Sequence, residues 1–318
     1  MIYNLIFAPI MNGIVIRTTG KYYTVRKDDR EIVQCRLKGK FRITSIRSTN
    51  PIVVGDRVEI ERNSEYWLIV KLKKRKNQIV RKSVKLSKQE HIIAANIDQV
   101  ILMITLDSPV TSTSFIDRFL VAANSYKINV VMLFNKIDLL LGDLKIKQDN
   151  LKDIYERIGY KCFSLSVIND DLSNIKDLMK GKVNMISGHS GVGKSTFINK
   201  LQDNIEIKTN EISLNNKRGQ HTTTFSEMYN LDFGAYIIDT PGIKGFGLVT
   251  INMDKIGNYF PEFFALKSDC KFHNCMHKEE PSCAVKIGLE KGNIAESRYK
   301  NYITMLSEND NDFRLNNY

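Results

Sequence analysis

The sequence predicts three domains: an N-terminal β-barrel of the OB type, a central α/β nucleotide-binding domain, and a C-terminal, mainly helical zinc-binding domain. Three observations predict this order. The first 88 residues contain short alternating strands and most of the positive charge, continuous apolar runs alternate with helical patterns from residue 96, and three cysteines cluster after residue 269. We expect the domains to span residues 1–88, 89–248 and 249–318.

The N-terminal stretch MIYNLIFAPIM is apolar but lacks the basic lead and the cleavage site of a secretory signal. The segment MNGIVIRTTGKYYTV already has the pattern of a complete strand and turn, so Met11 is an alternative start to Met1. No apolar run reaches the length of about 20 residues that a membrane span needs. We therefore predict a cytoplasmic protein without membrane association.

Residues 11 to 85 alternate apolar and polar positions in the short runs GIVIRTTG, YYTVRK, IVQCRLKG, DRVEIER and YWLIVKL. Strands at this spacing predict a small OB-type barrel. Tyr22, Tyr23, Tyr66 and Trp67 are candidates for stacking on bases, although alternating aromatic residues in a barrel are more often core residues. The cationic segment 71–85 is expected to run along a phosphate backbone rather than to be buried.

The positive charge is concentrated in the first domain. Residues 1–88 contain 21 Lys and Arg against 7 Asp and Glu, a net charge of +14, whereas the remaining 26 basic and 28 acidic residues give −2. Such a sharp partition favours a polyanion-binding module over a merely solvated face. Nucleic acid is the expected partner.

A phosphate-binding loop is predicted at GHSGVGKS, residues 188–195, which matches GxxxxGK[ST] between a predicted strand and a predicted helix. Its glycines let backbone amides face phosphates at a helix N-terminus. Lys194 is expected to reach the β- and γ-phosphates, and Ser195 to bind magnesium. The candidate nucleotide-binding residues here are Gly188, His189, Ser190, Gly191, Val192, Gly193, Lys194, Ser195 and Thr196.

NKID at residues 135–138 is a weak signal alone, but it ends the apolar strand VVMLF. Nucleotide sites form at this edge of a parallel sheet. The Asp138 carboxylate can accept hydrogen bonds from N1–H and the 2-amino group of guanine, which adenine does not offer, so the motif favours guanine. Asn135 is expected to help hold the base, and the Lys136 stem to cover its face.

DTPG at residues 239–242 ends the strand AYIID. Asp239 is expected to hold magnesium through water, and Gly242 to offer its amide to the γ-phosphate. In ordinary GTPases the phosphate loop precedes the base-reading motif, whereas in this chain NKID comes first. The motif order therefore predicts a circularly permuted, magnesium-dependent GTPase that converts GTP and water to GDP and phosphate.

The polar run NNKRGQHTTTF at residues 215–225 is interpreted as the first switch. Thr222 or Thr223 is expected to complete the magnesium shell. The residue after DTPG is Ile243, where many GTPases have the glutamine that orients the attacking water, so slow intrinsic hydrolysis is expected. His221 or a partner's groups would then position the water, although a surface histidine is the alternative interpretation.

The segment CKFHNCMHKEEPSC contains Cys270, Cys275, His277 and Cys283, a Cys₃His set that fills a tetrahedral zinc site. A complete ligand set indicates one structural ion. His273 is a spare that could replace His277. The remaining cysteines, at positions 35 and 162, are predicted to be small buried apolar residues.

With these features the chain resembles the small-ribosomal-subunit-dependent GTPase A family (RsgA, also called YjeQ). The resemblance covers almost the whole chain from Met11. It rests on the motifs GIVIRTTGKYYTV, VVGDRVEIE, NKID, GHSGVGKST, RGQHTTT, DTPGIKGFG, YFPEF and CKFHNCMHKEEPSCAV. It implies a late-acting assembly factor that binds the immature small ribosomal subunit and its rRNA, hydrolyses GTP when the subunit stimulates it, and then leaves.

The resemblance also assigns roles to residues. It implies that the zinc ligands are Cys270, Cys275, His277 and Cys283. It implies that His221 is the catalytic histidine and that Ser166 and Val167 stand where the family has a base-contacting Ser-Ala pair. GQH replaces the family's GRH, which removes one positive charge beside His221.

The sequence alone leaves two other interpretations open. One is an RNA-binding sensor of GTP and GDP with little turnover, which the missing glutamine permits. The other is a P-loop ATPase or kinase in which NKID is fortuitous. A monomer is expected because no amphipathic seam stands out.

Overall fold

A computed structural model describes residues 9–39, 51–82, 90–202, 226–239 and 251–307. These residues form two compact units. The first unit lies within Met1–Gln99, Leu172–Ile186 and Leu201–Ile243, and the second within Val100–Asp171, Ser187–Lys200 and Lys244–Tyr318. None of the described helices is both long enough and apolar enough to cross a membrane.

Among the described residues, strands occupy the N-terminal part of the chain and helices enter from residue 113. The strands are β1 (Met11–Thr18), β2 (Tyr23–Lys27), β3 (Ile32–Leu37), β4 (Arg57–Arg62), β5 (Trp67–Leu72), β6 (Gln78–Lys82), β7 (Glu90–Ala95), β8 (Gln99–Ile104), β9 (Asn129–Phe134), β10 (Lys161–Ser164), β11 (Val183–Ser187), β12 (Glu227–Asn230) and β13 (Tyr236–Asp239). The α-helices are α1 (Thr113–Ser125), α2 (Asp143–Arg157), α3 (Ser173–Met179), α4 (Lys194–Leu201), α5 (Pro261–Leu266), α6 (Ala284–Glu290) and α7 (Glu296–Ser307). Short 3₁₀ helices cover Ile137–Leu139, Met253–Tyr259 and Lys267–Asp269.

The predicted OB-type barrel is confirmed in the first unit. Its strands run in the order β1-β2-β3-β5-β4, and β4 pairs back onto β1, which closes the barrel. Alternate residues such as Val15, Val25 and Ile60 point inward and are fully buried, as the alternation in the sequence predicts. The interior also contains Cys35, which is buried as expected.

The barrel shares its first strand with the nucleotide-binding part of the first unit. Strand β1 pairs with β12 in antiparallel orientation, with Arg17 opposite Glu227. Strand β12 is antiparallel to β13, which in turn is parallel to β11. The sheet of this unit is therefore continuous from the barrel to the strand that precedes the phosphate loop.

The expectation that residues 71–85 are not buried holds for Lys71, Lys74 and Lys76, which are exposed, and is wrong for the end of the described part of that segment. Its apolar residues Ile79 and Val80 are buried in β6, which pairs with β7. Arg75 forms two hydrogen bonds of 2.7 Å with the buried carboxylate of Asp56. The charge of this arginine is neutralised by its partner, and the apolar residues of β6, rather than the high charge, determine the structure of this end of the segment.

In the second unit, β9 and β10 are parallel, with Val131 opposite Lys161, and β8 lies on the other side of β9. Helix α1 begins after Ser112, whose hydroxyl caps the helix by accepting a hydrogen bond of 3.2 Å from the Phe115 amide. Cys162 on β10 is buried, as expected. The polar ends of β9 and β10 therefore reach the same edge, as the prediction for NKID requires.

Residues 251–307, which we call the C-terminal module, form a small helical structure around Phe260, Phe263 and Tyr302. The rings of Phe260 and Phe263 stack at 4.9 Å, and Tyr302 meets Phe263 edge-on at 5.0 Å. Val121 of α1 belongs to the same buried core. The C-terminal module thus packs on a helix of the nucleotide-binding part of the chain.

Candidate nucleotide site and metal centre

Glycines shape the phosphate loop between β11 and α4. Gly188, Gly191 and Gly193 have φ angles of +145°, +83° and +99°, which favour glycine. A Cβ atom on Gly188 would lie 2.5 Å from the Met103 carbonyl oxygen. The backbone therefore approaches its neighbours too closely for a side chain, as phosphate-binding loops require.

Lys194 lies across this loop at the start of α4. Its ammonium donates hydrogen bonds to the carbonyl oxygens of Gly188 at 2.8 Å and His189 at 2.6 Å. The lysine is thus held against the loop whose phosphate it is predicted to bind. Ser190, Ser195 and Thr196 lie beside it in the same loop and the first turn of α4.

Asn135 connects the strand that ends at NKID to the phosphate loop. Its side-chain amide donates to the Val192 carbonyl oxygen at 2.8 Å, and its side-chain oxygen accepts from the Val167 amide at 2.9 Å. Asn135 is buried. One side chain therefore links three segments that are far apart in the sequence, namely NKID, the phosphate loop and the Ser-Val turn, residues 166–170.

The other NKID side chains lie nearer the surface. Lys136 has a φ of +63°, and its ammonium donates to the Ser108 carbonyl oxygen at 2.6 Å. Asp138 lies in the 3₁₀ helix Ile137–Leu139 and is exposed. An exposed carboxylate shortly after the buried Asn135 is accessible to a purine base.

The Ser-Val turn is built by local hydrogen bonds. The Ser166 amide donates to the Asp170 carboxylate at 2.7 Å, and the Ser166 carbonyl oxygen accepts from the Asn169 and Asp170 amides. Ser166 and Val167 are both buried. The turn is therefore a compact structure beside Asn135 rather than an extended loop.

His189 of the phosphate loop lies against α1. Its ring is 4.0 Å from the ring of Phe115, centroid to centroid. Burial, and then the nearby Lys194 ammonium, lower the pKa of His189. A neutral imidazole at this position extends the contact surface of the loop to the first turn of α1.

Several predicted residues lie outside the described part of the chain. They are His221, Thr222, Thr223 and Gly242. Asp239 ends β13, where its backbone is opposite Glu227 of β12. The assignments of switch and magnesium residues therefore stay predictions.

The Cys₃His cluster forms a compact donor set. The ligand atoms of Cys270, Cys275, His277 and Cys283 all lie within 4.8 Å of one another. His277 Nδ1 is 3.7 Å from Cys270 Sγ and 3.4 Å from Cys283 Sγ. Tetrahedral zinc, with Zn–S about 2.3 Å and Zn–N about 2.0 Å, separates such atoms by about 3.5 Å, so the residues fit a metal ion. His273 is exposed and is not part of this set.

The loop that carries these ligands is held by helix α7 and by the carboxylate of a glutamate within the loop. Tyr299 donates to the His277 carbonyl oxygen at 2.8 Å, and Tyr302 donates to the Met276 carbonyl oxygen at 2.6 Å. Glu280 accepts hydrogen bonds from the amides of Met276 and Lys278. The metal-binding loop is therefore supported by contacts that do not involve the ligand atoms.

The aromatic residues of the barrel divide into core and surface. Tyr23 is only 5% exposed and belongs to the core, so it cannot stack on a base. Tyr22 is 43% exposed. The Arg36 guanidinium lies 5.0 Å from the ring centroids of both Tyr22 and Tyr66. This arrangement of a cation between aromatic rings is suited to contacts with nucleic acid.

A second cationic pair surrounds Trp67. The Arg62 guanidinium is 5.9 Å and the Lys27 ammonium 5.2 Å from its ring centroid. Lys27 also pairs with the carboxylates of Asp29 and Glu31. Arg62 is more exposed than the buried Lys27, so it is the more accessible cation of this pair.

The phosphate loop, the NKID strand linked to it through Asn135, and the reversed order of these motifs define the protein as a circularly permuted P-loop GTPase. Two family models match the chain. The RsgA GTPase model matches residues 72–249, and the RsgA N-terminal domain matches residues 12–66. The chain belongs to the RsgA GTPase family, which confirms the resemblance found in the sequence.

Named relatives match over nearly their whole length. "Small ribosomal subunit biogenesis GTPase RsgA" of Flavobacterium johnsoniae is 53% identical over 97% of this chain and 96% of its own. The Bacteroides fragilis protein of the same name is 49% identical over 94% of this chain and 97% of its own. Among solved structures, YjeQ from Thermotoga maritima is 36% identical with a TM-score of 0.74, covering 94% of this chain and 98% of that one. YloQ, described as a circularly permuted GTPase, is 26% identical with a TM-score of 0.76, and the match covers 96% of this chain and 97% of that one.

Sequence reasoning missed the residues that hold the site together. Phe115, Asp170 and Lys200 belong to no motif, yet they contact the phosphate loop or the Ser-Val turn. Asp170 follows Ser166 by four residues and accepts from its amide, and aspartate is a residue type that often fixes turns through its side chain. For Phe115 and Lys200 the sequence contains no comparable signal.

Proposed function

We propose that this chain is a late assembly factor of the small ribosomal subunit, which binds the subunit and its rRNA and hydrolyses GTP when the subunit stimulates it. GTP hydrolysis itself follows from membership of the RsgA GTPase family, whose reaction uses GTP, yields GDP and depends on magnesium. The observation that carries the nucleotide-binding part of the proposal is the pair of hydrogen bonds through which Asn135 connects the predicted guanine-reading motif to the phosphate loop. Relatives that match nearly the full length are named for biogenesis of the small subunit.

The described residues support a division of roles in nucleotide binding. Asp138 would read the base edge and Lys136 would cover its face, while the loop amides and Lys194 would bind phosphates. Lys194 would exchange its two carbonyl partners for phosphate oxygens, which are stronger acceptors for an ammonium group. Ser166 and Val167 would support the base through Asn135.

The proposal also assigns the magnesium ligands and the group that positions the attacking water. The Ser195 hydroxyl, in the first turn of α4, offers the oxygen ligand that magnesium prefers, with Asp239 and Thr223 as its predicted companions. When bound, the ion would neutralise charge on the β- and γ-phosphates. Gly242 would donate its amide to the γ-phosphate, and His221 would position the attacking water.

We propose that the ion of the Cys₃His set is zinc and that its role is structural. Three thiolates and one imidazole form a soft set that suits zinc, and four protein ligands leave no open position for chemistry. The module would then present a fixed surface to rRNA or to a ribosomal protein.

The exposed cations and aromatic rings of the barrel would bind rRNA through phosphate contacts and stacking. We further propose that the protein acts as a monomer in the cytoplasm.

The test is phosphate release from GTP and ATP, with and without purified small ribosomal subunits at fixed salt. We expect subunits to accelerate GTP hydrolysis alone, His221→Ala to remove most of that acceleration, and Asp138→Asn to remove the preference for guanine. Slow turnover that no ribosomal particle changes would contradict the proposal and indicate a nucleotide-sensing RNA binder.

We also expect the GTP form to bind subunits more tightly than the GDP form, and equal affinities would contradict release by hydrolysis.

A further inference from the structure

Lys200 makes a contact that the predicted motifs do not explain. It lies near the end of α4, the helix that starts from the phosphate loop. Its ammonium donates to the carbonyl oxygens of Ile168 at 2.8 Å and Asp170 at 2.7 Å. Both oxygens belong to the Ser-Val turn, so one side chain connects the phosphate-loop helix to the turn beside the base site.

The turn has one accessible amide next to these carbonyl groups. The Ser166 amide donates to Asp170 and the Val167 amide donates to Asn135, so both are used within the protein. Within the described part of the chain, the Ile168 amide donates to no protein oxygen. Ile168 is 73% exposed. Its amide is therefore the member of this turn that has no acceptor among the described residues.

From this geometry we infer that Lys200 is a positioning residue for guanine recognition, which holds the turn so that the Ile168 amide meets the C6 carbonyl oxygen of the base. This inference rests on the proposed guanine site. Adenine has an amino group at C6, which cannot accept that hydrogen bond. Asp138 and the Ile168 amide would thus form hydrogen bonds with neighbouring atoms of one base edge. Lys200 would fix the position of the Ile168 amide.

The chemistry of lysine suits this role. An ammonium has three donors and no acceptor, so it can hold two carbonyl oxygens of one turn at once. Hydrogen bonds from a charged donor are the stronger class, and the half-buried position of Lys200 limits competition from water. Because Lys200 and Lys194 are on the same helix, a shift of the phosphate loop would also reach the turn.

The experiment measures displacement of a fluorescent GDP derivative from the full-length protein by GDP, IDP and ADP. GDP and IDP have the C6 oxygen and ADP does not. For Lys200→Met we expect the affinities for GDP and IDP to fall about tenfold, the equivalent of one lost hydrogen bond to the base, and the affinity for ADP to change less than about twofold. Lys200→Arg, which also offers paired donors, should stay within about threefold of the unmodified protein.

Lys145→Met is the matched control, because Lys145 is exposed on α2 in the same unit and its replacement changes the charge equally. An unchanged GDP-to-ADP ratio in Lys200→Met would overturn the inference alone. An equal loss of affinity for all three nucleotides would also overturn it, since Lys200 would then merely support the phosphate loop. Equal affinity of the unmodified protein for GDP and ADP would instead overturn the guanine site, and the inference with it.

Discussion

Gly193 and Asn135 show how closely the phosphate loop approaches the base-reading strand. A Cβ atom on Gly193 would lie 2.5 Å from Asn135 Nδ2, the atom that donates to the Val192 carbonyl oxygen. Gly193 also has a φ of +99°, at which a side chain is strained. Glycine is thus required at this position by two independent effects.

Gly193→Ala separates these effects when it is compared with Gly159→Ala. Gly159 has a similar φ of +95°, but a Cβ atom there meets nothing within 4 Å. We expect Gly159→Ala to lower the free energy of unfolding by about 1 kcal/mol through strain alone and to leave GDP affinity unchanged. Gly193→Ala should also displace Asn135 and lower GDP affinity by roughly a hundredfold. Equal GDP affinities of the two variants, measured by calorimetry, would contradict this interpretation of the contact.

Helix α1 connects the nucleotide loop to the C-terminal module. Phe115 in its first turn contacts His189, while the Asp117 carboxylate, which is fully buried, pairs with Arg298 of α7 at 2.5 Å. Asn301 and Tyr155 also donate hydrogen bonds to Asp117. Burial alone would lower the pKa of Arg298, but the Asp117 and Glu262 carboxylates raise it overall, so the guanidinium remains charged.

Removing the carboxylate should therefore be costly. We expect Asp117→Ala to lower the free energy of unfolding by about 3–5 kcal/mol, because the buried Arg298 then keeps only Glu262 as a partner, and the buried donors of Tyr155 and Asn301 lose their acceptor. Asp153→Ala is the control, since Asp153 forms an exposed ion pair with Arg157 on α2, and its loss should cost about 0.5 kcal/mol or less. Urea unfolding monitored by circular dichroism measures both. A cost for Asp117→Ala as small as that of the control would contradict the role of this pair.

The metal-binding loop should control which thiols react. Burial raises the pKa of Cys35 and of Cys162 to about 12, so both are expected to be inert in the folded protein. A chelator should release the three thiols of the Cys₃His set to a thiol reagent at a mildly alkaline pH, while the other two react only on unfolding. Rapid reaction of all three in the metal-loaded protein would show that they are not ligands.

The positions of the motifs at strand ends and the Cys₃His set could be predicted because each depends on residues close together in the sequence. Asn135, for example, directly follows an apolar strand, which places it at the sheet edge. The pairing of Asp117 with Arg298 could not be predicted, since its members are 181 residues apart. Lys200 and Arg75 were missed for a related reason. Their partners are a turn and a buried carboxylate, which charge and periodicity do not indicate.

At the scale of the whole molecule, the basic barrel is part of a continuous sheet. Strand β1 pairs with β12, and the Arg26 guanidinium of β2 lies 4.4 Å from the ring centroid of Tyr236 on β13. Strand β12 begins directly after the predicted first switch and β13 ends at Asp239. The proposed RNA-binding surface is therefore connected by backbone hydrogen bonds to the strand that follows the predicted first switch and to the strand that leads into DTPG.

Reversing charge on the barrel should weaken subunit binding in a salt-dependent way. We expect Arg36→Glu with Arg62→Glu to lower affinity for small subunits at least about tenfold and to reduce the slope of log affinity against log salt by about 2. Arg157→Glu with Lys145→Glu makes the same change of charge on exposed residues of α2 and should have little effect. Equal effects of the two pairs in sedimentation assays would show that binding depends on net charge alone.

The placement of Val121 and Asp117 on α1 also determines where the polypeptide can be divided. A fragment that stops before residue 251 would retain α1 but lose the aromatic core and the guanidinium that cover it. Its α1 would expose an apolar strip beside a carboxylate without its cation. We therefore expect helix α1 and the C-terminal module to unfold together, so that a truncation before residue 251 destabilises the helix that it leaves in place.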